Sequence, residues 1–239
     1  MDHPVFDHEG PWTEESYLGL SRTGRNPSAP DDGRVELVDG ALLVGPGTTG
    51  ERRRVVGRVR EAVEAALPDG LRVVGPVPLR LGPDCVLAPD LVVTRAVEEA
   101  AAPEEEPSDG DGEGEGGNGA PAATEVVDAA DALMVLEVVG DHHGAVDRSF
   151  KPQLYARSRI PYSLLVDHDV PFAVANMIIG GRYHEYARAS AGAVLRVEEP
   201  FRLEIDLTVV TSPEEEPQDH DEDQDRGRHE EQDAVRTGG

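Results

Sequence analysis

Residues 131–140, DALMVLEVVG, form an apolar run of strand length interrupted once, by Glu137. A run that is apolar at consecutive positions, rather than at alternate ones, is the pattern of a strand covered on both faces. Such a strand needs layers above and below it, so the chain must fold around an internal sheet with other elements packed against it. The carboxylate is then the anomaly, because an ionised acid buried without a partner costs several kcal/mol.

The flanking segments supply the layers. Residues 13–20, TEESYLGL, begin with a Thr cap and two acids and suit a short opening helix. In 34–44, RVELVDGALLV, Asp39-Gly40 sits between two apolar runs and predicts a tight hairpin. From Gly50 the period changes: Val55, Val56, Val59, Ala62, Val63 and Ala66 recur at helical spacing, with arginines between them. LRVVGPVPLRL and CVLAPDLVVT read as two strands, the first an edge or bent strand because of its prolines. After the central run, PQLYARSR predicts a short helix with Pro152 at its first position, YSLLVD a second buried strand, and 171–189 a hairpin turning at Gly180-Gly181. AVLRVEEPFRLEIDL supplies the last strands. The expected fold class is α/β (α+β): one mixed central β-sheet flanked by helices, in a single domain spanning 12–211.

Two stretches cannot join that core. Residues 101–124 hold seven acids and no base, and residues 212–239 hold eleven acids and three arginines, with almost no large apolar side chain in either. Both are expected to be disordered, the first as an insert and the second as a tail. Together they carry fifteen of the twenty-six net negative charges, leaving the rest of the chain near −11. An acidic chain repels phosphate backbones at long range, which argues against nonspecific nucleic-acid binding but not against a local, metal-bridged site. The single cysteine, Cys85, excludes an internal disulfide and reads as a buried structural thiol. Residues 1–15 lack an apolar core and no stretch reaches the ~18 apolar residues of a membrane span, so no signal peptide, no membrane partner and a cytoplasmic location are expected.

Of the twenty-two basic residues only Lys151 is a lysine. Arginine is a permanently charged planar fork, whereas lysine is a compact point charge able to stand beside a reacting oxygen. Upstream of it, Glu36 lies in the first hairpin strand, Asp90 follows Pro89, and Glu137 interrupts the central run. Each acid could simply face solvent or pair with an arginine. Clustered on a sheet, however, carboxylates hold a hard divalent cation such as Mg²⁺, and a cation so held can activate water beside a scissile phosphate. Tyr155 and Tyr162 read as packing residues, the helix arginines as an exposed charged face, and His142-His143 as a polar turn whose spacing matches no zinc pattern.

RVELVDGALLV, VLAPDLVV, LMVLEVV, DRSFKPQLYARSRIPYSLLVD and the C-terminal GGRYHEYAR to FRLEIDL segments resemble, in that order over about 12–211, the Uma2 family of endonucleases. That family is a branch of the PD-(D/E)xK restriction-endonuclease-like superfamily. The resemblance implies a restriction-endonuclease-like core, hydrolysis of DNA phosphodiester bonds and a Mg²⁺ (or Mn²⁺) cofactor. It implies Glu36, Asp90 and Glu137 as metal ligands and Lys151 as the catalytic lysine. The superfamily's lysine two residues after the second acid is absent, since position 139 is Val, and Lys151 at the head of the next helix takes its place.

A noncatalytic or degenerate nuclease-fold protein is the alternative, using its acidic segments to bind basic protein partners or to mimic nucleic acid. The same segments could instead shield the site electrostatically. A homodimer is compatible with the sequence.

Overall fold

The computed structural model describes residues 9–22, 34–45, 49–96, 125–140 and 144–212. The acidic insert 101–124, the tail beyond residue 212 and the His142-His143 pair lie outside the described residues.

The helices are α1 (Glu14–Arg22), α2 (Gly50–Ala66), α3 (Lys151–Arg157) and α4 (Leu207–Val210). A six-stranded mixed sheet forms the centre, in the order β11 (Arg182–Ser190), β10 (Phe172–Ile179), β9 (Tyr162–Asp167), β8 (Ala132–Val139), β6 (Leu91–Arg95) and β3 (Leu71–Val74). The apolar run is β8, with β6 antiparallel on one side and β9 parallel on the other. A parallel neighbour requires a crossover connection. Here the crossover is a π-helical turn, Val146–Phe150, leading directly into α3.

The single expected sheet is in fact three. A five-stranded sheet runs β2 (Ala41–Val44), β1 (Val35–Val38), β5 (Cys85–Leu87), β4 (Leu79–Gly82) and β7 (Val127–Asp128), and β12 (Val194–Val197) pairs with β13 (Leu203–Asp206) as a separate ribbon. The two strands expected between 71 and 94 are four, shared between the larger sheets. Proline explains both breaks: Pro76, Pro78 and Pro89 lack the N–H a ladder needs, so the chain leaves one sheet at each interruption and enters the other.

The expected hairpin joins β1 to β2, with Asp39 at φ 49° and Gly40 at φ 78°, the positive values that both central residues of a type I′ turn require. Gly75 is required for another reason. A Cβ there would lie 2.3 Å from the Asp90 carbonyl oxygen, so only glycine lets the chain leaving β3 touch the backbone of Asp90.

The two faces of the central sheet are covered differently. Met134, Leu136 and Val138 of β8 pack with Val55, Val59 and Val63 of α2 and with Leu195, Leu203 and Leu207 from the C-terminal elements. Val135, on the opposite face, packs with Leu79, Leu87 and Val127 of the five-stranded sheet and with Leu154 and Tyr155 of α3. Each such side chain contributes about 1.5–3 kcal/mol when fully buried. Tyr17 and Leu20 of α1 close the five-stranded sheet over Leu37 and Val86. No helix among the described residues is long and apolar enough to cross a membrane.

Candidate active site

Strand pleating decides where Glu137 points. Side chains alternate along a strand, so Glu137 shares the face of Val135 and looks toward α3 and the five-stranded sheet, away from α2. From α3, Lys151 and Tyr155 are one turn apart and face back toward it; Asp147, four residues before Lys151, joins them from the π-helical turn. From β1 and the residue just before it come Glu36 and Arg34, two positions apart and hence on one face. Asp90 enters from the break between β5 and β6, and Arg52 from the first turn of α2, whose cap Thr49 accepts from the Arg52 N–H at 3.1 Å.

All four residues expected at the site are buried: Glu36 is 3%, Asp90 4%, Glu137 4% and Lys151 1% exposed. Lys151 Nζ lies 2.6 Å from Asp147 Oδ1, 2.8 Å from Glu36 Oε1 and 3.4 Å from Glu137 Oε1. Glu36 Oε1 also accepts from the Ala88 N–H at 2.8 Å. Tyr155 donates its hydroxyl to Glu137 Oε1 at 2.6 Å. The other oxygen, Oε2, is 3.3 Å from Arg34 Nη1, and the same guanidinium places Nη2 2.5 Å from Asp90 Oδ1. Arg52 Nη2 reaches Asp90 Oδ2 at 2.9 Å and Oδ1 at 3.1 Å, and the Val138 N–H donates to Oδ2 at 2.7 Å. A cavity of about 200 Å³ opens onto this cluster, lined by Arg34, Glu36, Arg52, Asp147 and Lys151 among others.

Charge state follows from these partners. Burial opposes ionisation of Asp90, but Arg34, Arg52 and the Val138 N–H outweigh it and hold its carboxyl well below the usual range. For Glu137 burial wins. With Asp147 and Asp90 adding repulsion and Lys151 and Arg34 only partly offsetting them, its carboxyl is pushed above the usual range. Two neighbouring carboxyls thus have their affinities for protons driven apart, a common feature of reactive sites. Burial alone would favour a neutral lysine, yet Glu137, Glu36 and Asp147 push Lys151 upward and keep it an ammonium ion. Within the cluster it is a hydrogen-bond donor and a positive charge. Tyr155, raised well above its ordinary value by burial and by Glu137 and Glu36, also stays protonated.

Among the described residues no group of three or more His, Cys, Asp or Glu side chains is placed to hold a metal ion. Two carboxylates do meet at one cation: the Arg34 guanidinium bridges Asp90 and Glu137. Both are hard oxygen donors, and Mg²⁺ commonly uses only one or two carboxylates with water and substrate phosphate completing its shell. The place between them is filled by the Arg34 guanidinium, and both Asp90 oxygens already accept from Arg52, with the Val138 N–H added at Oδ2. Glu36 lies on the lysine side of the cluster.

Arg34, Arg52, Asp147 and Tyr155 were not expected here. Spacing held a signal for three of them: Arg34 is two residues from Glu36 on a strand, and Asp147 and Tyr155 are each four from Lys151 about a helix start. Arg52 was read as part of an exposed face, which describes Arg53 but not Arg52, whose side chain is 13% exposed. Tyr155 does pack, as expected, and turns its hydroxyl to Glu137 as well.

Known proteins resemble this chain in fold and in family. A solved structure described as "a putative nuclease belonging to DUF820 from Anabaena variabilis ATCC 29413" is similar in fold, with a TM-score of 0.56 at 13% identity, over 84% of this chain and 98% of that one. None of the curated proteins compared matches the chain. The Uma2 family profile, described as "Putative restriction endonuclease", matches residues 17–210, a span that contains Arg34, Glu36, Arg52, Asp90, Glu137, Asp147, Lys151 and Tyr155. The chain belongs to the Uma2 family.

Proposed function

We propose that the protein is an endonuclease that hydrolyses DNA phosphodiester bonds using a divalent cation, Mg²⁺ or Mn²⁺, held by Asp90 and Glu137. The observation that carries this reading is the meeting of those two carboxylates at one cationic group, with Lys151 reaching Glu137 from its other oxygen. When bound, the cation would supply Lewis acidity and a water of lowered pKa.

The chain's own residues do the rest. Lys151, kept as an ammonium ion and held by Glu36 and Asp147, gives to the attacking water or to a phosphate oxygen the N–H that otherwise meets Glu137 Oε1 at 3.4 Å. Tyr155 fixes the orientation of Glu137. Arg52 carries a buried Nε with no hydrogen-bond partner among the described residues, a donor suited to a phosphate oxygen entering the cavity. Since the chain is acidic overall, affinity for DNA has to come from this local set and not from a basic surface.

Calorimetric titration of Mn²⁺ or Mg²⁺ into the wild type and Asp90→Ala, with plasmid nicking by the wild type and Lys151→Ala, tests this reading. Binding that requires Asp90 and nicking that requires Lys151 support it. Wild type that binds no cation and leaves the plasmid intact refutes it. That result would favour the second reading, a nuclease fold without catalysis, for which the internal pairing of all these charges speaks.

A further inference from the structure

We infer that the arginine-lined groove at the end of α3 is the docking site of the chain's own acidic segment, residues 97–124. This goes beyond the nuclease reading and does not depend on it.

The guanidiniums without a partner share one place. Among the described residues, Arg95, Arg157, Arg159 and Arg182 are exposed, and their side chains make no ion pair or hydrogen bond. Arg95 and Arg159, together with Arg80, line a cavity of about 900 Å³, and Arg157 and Arg182 line one of about 490 Å³. The two cavities adjoin where α3 ends, at residues 157–159. Cations are favoured in the last turn of a helix, which accounts for Arg157 and Arg159. It does not account for Arg95, at the end of β6, or for Arg182, at the start of β11. Arg159 also stands at φ 62°, the left-handed position after a helix where glycine is the usual residue. The acids lining these cavities are Asp128, already paired with Arg80, and Asp131, so five arginines face two aspartates and leave a positive surplus of three.

The acidic segment starts and ends beside this groove. Arg95 of β6 and Asp128 of β7, the strands that flank residues 97–124, both line the larger cavity. Glu125 pairs with Arg72, whose register partner in the sheet is Thr94, so the chain departs and returns at neighbouring points. The 28 residues between hold nine acids and no base, and their contour of about 90 Å far exceeds the ~10 Å length of α3. Tethering at both ends gives an effective concentration on the order of millimolar, at which exposed ion pairs that are singly weak can act together. A separate anionic partner lacks that advantage and meets a chain of net charge −26. The acidic tail follows α4, whose Leu207 and Val210 pack with α2 on the face of the central sheet opposite α3.

The test uses the full chain and a glutamate-specific protease, with the fragments followed by mass spectrometry and the equally acidic tail as internal control. In the wild type, cleavage within 97–124 is expected to be about tenfold slower than within 213–239, since proteolysis follows the population of the undocked form. In Arg95→Ala/Arg159→Gly and in Arg157→Ala/Arg182→Ala it is expected to rise to the rate of the tail, which itself stays unchanged. Glycine suits the left-handed backbone at 159. Wild type in 1 M NaCl, where the screening length falls to about 3 Å, should show the same release without a substitution. Equal cleavage of the two segments in the wild type overturns the inference, as does protection of 97–124 that survives both the substitutions and the salt. Loss of duplex DNA binding in the arginine variants, read by fluorescence anisotropy while cleavage of 97–124 stays unchanged, also overturns it and gives the groove to nucleic acid.

Discussion

Tyr155 and Glu137, on α3 and β8, are joined by a 2.6 Å hydrogen bond from the phenol to Oε1, buried on both sides. The bond ties the central strand to the helix that follows it and keeps one oxygen of Glu137 turned away from Arg34. Tyr155→Phe removes the donor and keeps the ring. It is expected to fold and to lose about 1.5–3 kcal/mol, the range for a hydrogen bond to a charged group, in urea unfolding. Nicking should fall about tenfold, as for a residue that orients a ligand from behind.

Asp90 balances two arginines at once. Asp90→Asn keeps the shape and removes the charge, leaving Arg34 and Arg52 uncompensated in a buried setting. A loss of about 3–5 kcal/mol is expected in chemical unfolding, with the heat of Mn²⁺ binding abolished. A variant as stable as wild type would mean that the arginines are not held by this carboxylate.

Lys151 converges on Glu36, Asp147 and Glu137. Lys151→Met should reduce nicking about a hundredfold or more, the cost of removing one preorganised donor from a developing charge. Lys151→Arg keeps the charge but presents a planar fork to three carboxylates arranged around a point, so it should not restore nicking. Plasmid assays on both variants, with unfolding curves to separate activity from stability, decide this.

Cys85, half-buried in β5, has its thiol pushed up to about 11, chiefly by burial and then by the carboxylate of Asp39. A raised pKa disfavours the thiolate, so the reactive fraction is small at neutral pH and grows as pH rises toward that value. Iodoacetamide alkylation of the native protein at pH 8 should be roughly a hundredfold slower than that of the unfolded chain, rising about tenfold per pH unit up to pH 10. A pH profile levelling off near 8 would contradict the assignment.

Much of the core was legible because its periodicities are local. The hairpin at Asp39-Gly40, α2, β8, β9 and the turn at Gly180-Gly181 all lie where apolar spacing and turn residues put them. Sheet membership was not legible. Nothing in LRVVGPVPLRL says that its halves belong to different sheets, because pairing depends on partners that are distant in sequence. The prolines mark where the chain breaks, not where it goes.

The site divides in the same way. Glu36, Asp90 and Glu137 stand out in the sequence because a charge among apolar neighbours must be compensated, and Lys151 because it is the one lysine among twenty-two basic residues. Which group compensates which is decided only in three dimensions. Arg34 lies fifty-six residues from Asp90, and Arg52 thirty-eight, yet both guanidiniums close on that one carboxylate. With twenty-one arginines in the chain, no local pattern ties either of these two to Asp90. By itself the sequence singled out some of the charges that are buried, Glu36, Asp90 and Glu137, through the cost of placing an acid among apolar side chains. The packing of α2, β1 and α3 around β8 decided how they pair, because ion pairing depends on distances that only the folded chain sets.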